Sequence, residues 1–302
     1  MTPSSGPPTP DEPETSDVDD LIGLGTEIVG TTVAAAIGFV GGGPLGVIAG
    51  AAAGPVLTRS LLELAREIRS RLLGHREEVR IGATLTYFLE TIKARLADGD
   101  LFRTDGFFDA GPTMRSSGEE IMEATLLAAQ REPEEAKLRY LGRLLANLMF
   151  EEAFDRPQAS LLVRTLEDLS YRQLLLLQLF LKPGGVTRDV NYHGLAYVDD
   201  DGPATARLAF VLSETFDLYT RGLVNNGGQA ALGMTSLVPS RIETQGIGRT
   251  LAFLSGLDVI EDAGGVNTLT KIFMSAPLRS EGEDNEKGGL PPAPTPPAAQ
   301  WG

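Results

Sequence analysis

Residues Ile28–Thr58 read IVGTTVAAAIGFVGGGPLGVIAGAAAGPVLT, 31 residues without a charge. Small residues recur at every fourth position: Gly30, Ala34, Gly38, Gly42, Gly46, Gly50 and Gly54. On a helix, residues four apart share a face. A glycine face lets two backbones approach closely, as between helices in a membrane. In water each such glycine costs roughly 1 kcal/mol against alanine. The register therefore predicts a membrane-seeking or self-assembling segment.

A straight helix over the run would measure about 46 Å at roughly 1.5 Å per residue. A bilayer core of about 30 Å needs only about 20 residues. Gly41-Gly42-Gly43-Pro44 lies near the middle, and Pro44 interrupts helical hydrogen bonding. The spacing predicts a glycine-zipper helical hairpin over residues 21–74. Its second arm continues past Arg59 as an amphipathic helix, with Leu61, Leu64, Ala65, Ile68 and Leu72 opposite Arg66, Glu67, Arg69 and Arg71. Two alternatives fit the same run: a buried hairpin in a soluble oligomer, and a single tilted span. Glu27 inside the first arm and the mild hydropathy of alanine and glycine make insertion conditional in this reading. Arginines 59, 66, 69, 71, 76 and 80 all follow the hairpin. Positive residues favour the cytoplasmic side, so the expected place is a membrane with the bulk of the chain in the cytoplasm, or the cytoplasm itself.

Working outward, residues 1–20 are acidic and rich in Pro, Ser and Thr, and read as a disordered tail without a secretory signal. Residues 278–302 carry a proline run and read the same way. Between them a helical domain is expected over 75–164. Ile81, Leu85, Phe88, Leu89, Ile92 and Leu96 follow helical spacing. A loop containing Phe102, Phe107 and Phe108 follows, and these rings dock it or form a contact site. Ser117-Gly118-Glu119-Glu120 reads as a capping box for a helix to about Arg131. Pro133 opens another to about Ala153, with Leu138, Leu141, Leu144, Leu145 and Leu148 as its stripe. A short helix follows Pro157.

From 165 to 277 the pattern changes. Ser170-Tyr171-Arg172-Gln173 is a second capping box, before a buried leucine helix. A helix over 204–221 stops at Gly222. Leu223-Val224 reads as a strand, Asn225–Gly228 as a turn and Ser240–Glu243 as a strand end, with Thr244 capping a last helix. This order predicts a winged-helix-like α+β module. The fold class is therefore mainly α, with a glycine-zipper hairpin, a helical layer and that C-terminal module.

EEAKLRYLGRLLANLM, LEDLSYRQLLLLQLF, LYTRGLV and RIETQGIGRTL together resemble the abortive-infection alpha (Abi-alpha) family over about 120–260. The shared features are a Leu/Ala/Asn end to the helical layer, a helix after L-x-x-L-S, a Gly-Leu-Val strand, and I-x-x-T before a glycine. Here those last positions are Ile242, Thr244 and Gly246; Gly246 follows Thr244 by two rather than three, and Gly248 is the nearby alternative. The resemblance implies a bacterial protein linked to phage defence, so that the membrane expected above would be a bacterial inner membrane. It brings no catalytic residue.

Composition narrows the chemistry. The 302-residue chain has formal net charge -15, no cysteine and two histidines. Disulfides, thiol catalysis and cysteine-ligated zinc are excluded, and a multi-histidine metal site is disfavoured. Gly23-Leu24-Gly25 and Gly30 give G-x-G-x-x-x-x-G, which is neither a dinucleotide fingerprint nor a P-loop. Asp199-Asp200-Asp201 lacks the spacing of a calcium loop, and His193 near Asp189 has no nucleophile beside it. No metal, cofactor or catalytic set is expected, and the reading is of a protein that is not an enzyme. The acidic balance makes nucleic acid an unfavoured partner. If the 204–221 helix read a groove, Arg207, Arg221 and the nearby Arg241 would be its contacts, against Glu214 and Asp217 on the same helix. The expected partners are the membrane, other copies of the chain, and a further protein.

Overall fold

The computed structural model describes residues 74–111, 115–182, 184–192, 203–259 and 262–275. The glycine-zipper register, both expected tails, His193 and Asp199–Asp201 lie outside the described residues. Within them the protein is mainly helical with one two-stranded sheet. No helix of the described residues is long and apolar enough to cross a membrane.

The chain begins with α1 (His75–Ala97), α2 (Ser117–Arg131), a 3-10 turn at Glu135–Lys137, and α3 (Leu138–Leu148). All five leucines of the α3 stripe are buried, each stabilising the fold by roughly 1.5–3 kcal/mol. Helix α1 lies across α3 at Gly142, where a Cβ would stand 2.5 Å from the Thr84 carbonyl oxygen and 2.8 Å from Tyr87 Cβ. Only glycine permits that approach. Phe102, Phe107 and Phe108 are buried and dock their loop, Phe102 stacking on Phe150 at 4.7 Å.

Three boundaries differ from the sequence reading. The first capping box sits one residue earlier: the Ser116 hydroxyl accepts from Glu119 N, and Glu119 Oε2 accepts from Ser116 N at 2.6 Å. The helix expected to run from Pro133 to Ala153 is a 3-10 turn and then α3, ending at Leu148. The carbonyl of its last residue, Leu148, accepts from the buried Arg103 at 3.3 Å; the same guanidinium donates to Phe154 O at 2.9 Å in the following loop, pairs with Asp105, and stacks over Phe107 at 3.9 Å. Helix α4 (Arg156–Asp168) then runs past residue 164, across the expected domain boundary.

Ser170 and Gln173 form the second capping box of α5 (Tyr171–Leu179) as expected. Helix α6 (Pro203–Thr220) ends before Gly222, whose φ of +71° turns the chain. Strands β1 (Val224–Asn226) and β2 (Ile242–Thr244) pair antiparallel, with Val224 opposite Thr244. Thr244 is part of β2 and does not cap the helix that follows; its hydroxyl donates to Leu177 O at 3.0 Å. Helix α7 (Gly246–Ser255) starts after Gln245, which makes no side-chain cap. Gly248 brings α7 against the chain entering β1: a Cβ there would stand 2.2 Å from Leu223 O. A further helix, α8 (Ala263–Met274), is absent from the sequence reading. One continuous apolar core runs from Ile81 in α1 to Phe273 in α8.

Candidate functional site

The described surface that the sequence reading singles out is the outer side of α6 with Arg241 nearby; the arm between β1 and β2 adjoins it. Helix α6 buries Leu208, Val211, Leu212, Thr215 and Leu218. That leaves Arg207, Phe210, Glu214, Asp217 and Arg221 on the opposite side, spaced three and four apart.

The three candidate arginines are not brought together. Arg207 and Arg221 are 14 positions apart, about 21 Å along a helix. Arg207 is exposed. Arg221 Nε pairs with Asp217 at 2.9 Å, and its Nη1 lies 3.7 Å from Asp168. Arg241 stands just before β2 and pairs with Asp189 Oδ1 at 3.0 Å, which holds that carboxyl below the usual carboxylate range. Arg172 of α5 holds Glu214 through two bonds of 2.5 and 2.9 Å, and Gln173 donates to Asp217 at 2.7 Å. The polar side of α6 is thus a ladder of internally matched charges. Exposed pairs of this kind contribute little stability each, but they cancel the positive field that a phosphate backbone requires.

The arm is a different surface. From Gly222 to Ser240 it contains no charged residue. Asn226, fully buried, shapes it: its Oδ1 accepts from Val238 N at 2.9 Å, and its Nδ2 donates to Ser236 O at 3.4 Å. The Tyr219 hydroxyl accepts from Ala231 N at 3.1 Å, and Tyr192 N donates to Thr235 O at 2.7 Å. A loop fixed at four points then presents Leu232, 95% exposed, at its tip, with Met234 beside it in sequence. Phe210 of α6 is 65% exposed. These apolar side chains were missed in the sequence reading. Their signal was available in the uncharged run from Gly222, which reads as turn and strand until its length is noticed.

A polar node elsewhere joins α5 to α8. Tyr171 Oη donates to Asp262 Oδ2 at 3.1 Å and accepts from Arg139 Nη2 at 3.3 Å. Burial pushes the Tyr171 phenol up. Among the described residues no group of three or more His, Asp or Glu side chains is placed to hold a metal ion. On the described surface the arm stands out as an uncharged loop with an apolar tip.

Compared with protein-family models, with curated proteins and with solved structures, the chain matches none.

Proposed function

We propose that this chain is a non-enzymatic, membrane-associated effector that self-assembles through the small-residue register from Gly30 to Gly54. The observation that carries this reading is the uncharged run Ile28–Thr58 with a small residue at every fourth position. The helical domain after residue 74 is the cytoplasmic part that restrains or triggers the segment. The motif series shared with the abortive-infection alpha family supports a bacterial, phage-defence setting. The order helix, helix, strand, arm, strand, helix supports a winged-helix-like reading of the C-terminal part. The uncharged arm favours a protein or lipid contact there over nucleic acid. A second reading, a soluble oligomeric regulator with the hairpin as its core, is favoured by the exposed Leu232 and Phe210, which suit a protein partner.

Two measurements test the proposal. Full-length chain and a form lacking residues 21–58 are expressed in bacteria, and membrane partition is measured after an alkaline wash; only the full-length form is expected in the membrane. Gly42→Leu with Gly46→Leu is expected to abolish oligomers and any toxicity. Unchanged oligomer size in that double variant would sink the self-assembly reading, and equal solubility of both forms would hand the lead to the regulator.

A further inference from the structure

We infer that the groove formed by α5, α6 and the 184–192 loop is a helix-binding site, filled in this structure by the chain's own α8 and able to take the same segment from a second copy. The inference rests on the packing of the described residues and not on the membrane reading.

Helix α8 reads DAGGVNTLTKIFMS from Asp262 to Ser275. Val266, Leu269 and Phe273 fall at i, i+3 and i+7, the anchor spacing of an amphipathic helix laid in a groove. Leu269 and Phe273 are buried, and Val266 packs at the edge of the core. The Phe273 ring meets Phe180 at 5.8 Å. Near its start the helix is seated by shape: a Cβ on Gly265 would stand 2.7 Å from Leu175 Cδ1 and 2.5 Å from Asp262 Oδ2.

Both ends are clipped by phenols. Tyr171 Oη donates to Asp262 Oδ2 while Asp262 Oδ1 caps Gly265 N at 2.7 Å. Tyr192 Oη donates to Phe273 O at 2.9 Å in the last turn. These groove-side contacts, Tyr171, Leu175, Phe180 and Tyr192, precede α8 in the chain. What the groove reads is contained in fourteen residues: two deep anchors, one glycine, one capping acid and one terminal carbonyl. A copy of that segment on another chain presents the same atoms.

The segment is also built to leave. Of its twelve helical residues only Leu269 and Phe273 are buried. Gly264 and Gly265 in its first turn lower its own helicity, and helices this short are marginal when alone. Elements with few buried contacts open locally before the core does. Exchange of an identical element between copies requires no new complementarity.

The test uses the full chain carrying Leu269→Ser and Phe273→Ser, which empties the groove from within. A fluorescent peptide of residues 262–275 is titrated in, and anisotropy is read. Saturable binding to this variant is expected, with binding to the unmodified chain at least about tenfold weaker because its own α8 competes. The Phe273→Ser peptide, which lacks the ring that meets Phe180, is expected not to bind. Equal binding of the Phe273→Ser or a scrambled peptide, or no binding to a variant whose α3 amides keep native hydrogen-exchange protection, overturns the proposal. Should the double variant fail to fold, hydrogen exchange on the full chain decides. Tyr192→Phe is expected to speed exchange of α8 amides about tenfold and leave those of α3 unchanged. Exchange of α8 and α3 at one common rate refutes a separable helix.

Discussion

Replacing Lys137 by methionine should destabilise the helical domain far more than removing any of its surface ion pairs. Lys137 and Glu132 are each 3% exposed, and Nζ stands 2.5 Å from Glu132 Oε2. Lys137 Nζ also donates to Glu167 O at 2.9 Å, and Glu132 Oε1 accepts from Glu134 N at 2.9 Å. The pair therefore ties the 3-10 turn before α3 to the end of α4. Methionine preserves much of the side-chain volume but leaves the carboxylate buried without its cation. Breaking such a pair costs about 3–5 kcal/mol. At about 2–4 °C per kcal/mol for a domain of this size, Tm should fall by about 6–20 °C. The double variant Glu132→Leu with Lys137→Met removes both charges, so at least about 2 kcal/mol should return. The recovery is not complete, because Glu134 N and Glu167 O lose their partners. Urea unfolding of the wild type, both single variants and the double variant gives the coupling energy directly. Buried charges are poorly screened, so the loss should be nearly the same at low and high salt. A cost below about 1 kcal/mol for Lys137→Met, or a double variant as unstable as the sum of the singles, refutes this account of the pair.

Two further outcomes follow from contacts within the same core. Gly248→Ala places a Cβ 2.2 Å from Leu223 O; overpacking of about 1–3 kcal/mol or more outweighs the roughly 1 kcal/mol gained in helix propensity. Gly264→Ala meets only Asp262 Oδ1 at 3.6 Å and should be neutral or slightly stabilising, so urea midpoints should move down for the first and not for the second. Burial raises the Tyr192 phenol above its ordinary value of 10.0. Its contribution is therefore fully present below about pH 10 and is lost as pH rises from there toward the folded-state value. Tyr192→Phe should make the alkaline decline of Tm shallower, without flattening it, because Tyr171 is raised in the same direction.

Local signals were legible where their partners lie close in sequence. Ser170 and Gln173 cap α5 as their spacing predicts, and the α3 leucines are buried as a stripe. The first box slipped by one because Ser116-Ser117-Gly118-Glu119-Glu120 satisfies the S-x-x-E pattern twice. Ser116 wins with help from outside the pattern, through its bridge to Ala110. Where the deciding partner is distant, the sequence misled. Helix α3 ends at Leu148, and the carbonyl left free there is taken by Arg103, 45 positions earlier. Thr244 looked like a cap because a helix follows it, but its hydroxyl is claimed by Leu177, 67 positions away. Helix α8 went unread because Gly264 and Gly265 open it and β-branched residues interrupt it. It is helical because the core buries Leu269 and Phe273, the latter against Phe180. The candidate surface was half legible: Arg207, Arg221 and Arg241 were visible as charges, while the pairing of Arg221 with Asp168 and of Arg241 with Asp189 depends on the fold.

The residues behind the family resemblance share one physical task. Asn147, from the Leu/Ala/Asn end of α3, donates to Leu254 O at 2.7 Å and accepts from Arg95 Nη1 at 3.1 Å. It thereby fastens α1, α3 and α7 to one another. Thr244 fastens β2 to α5, and Gly248 lets α7 touch the backbone before β1. Asn147 joins the helical layer to the C-terminal half, while Thr244 and Gly248 join elements within that half, and each is consumed by its join: its polar atoms or its missing Cβ are already used inside the fold. A motif series of this kind carries information about how the parts are assembled and very little about what they bind. Binding must then be sought on side chains that the fold leaves unused. Among the described residues the most exposed large apolar side chains are Leu101, Phe210 and Leu232 at the arm tip. Substituting Leu232 should leave Tm unchanged, because the fold makes almost no use of its side chain, and any loss of function in such a variant would locate the contact surface of the protein.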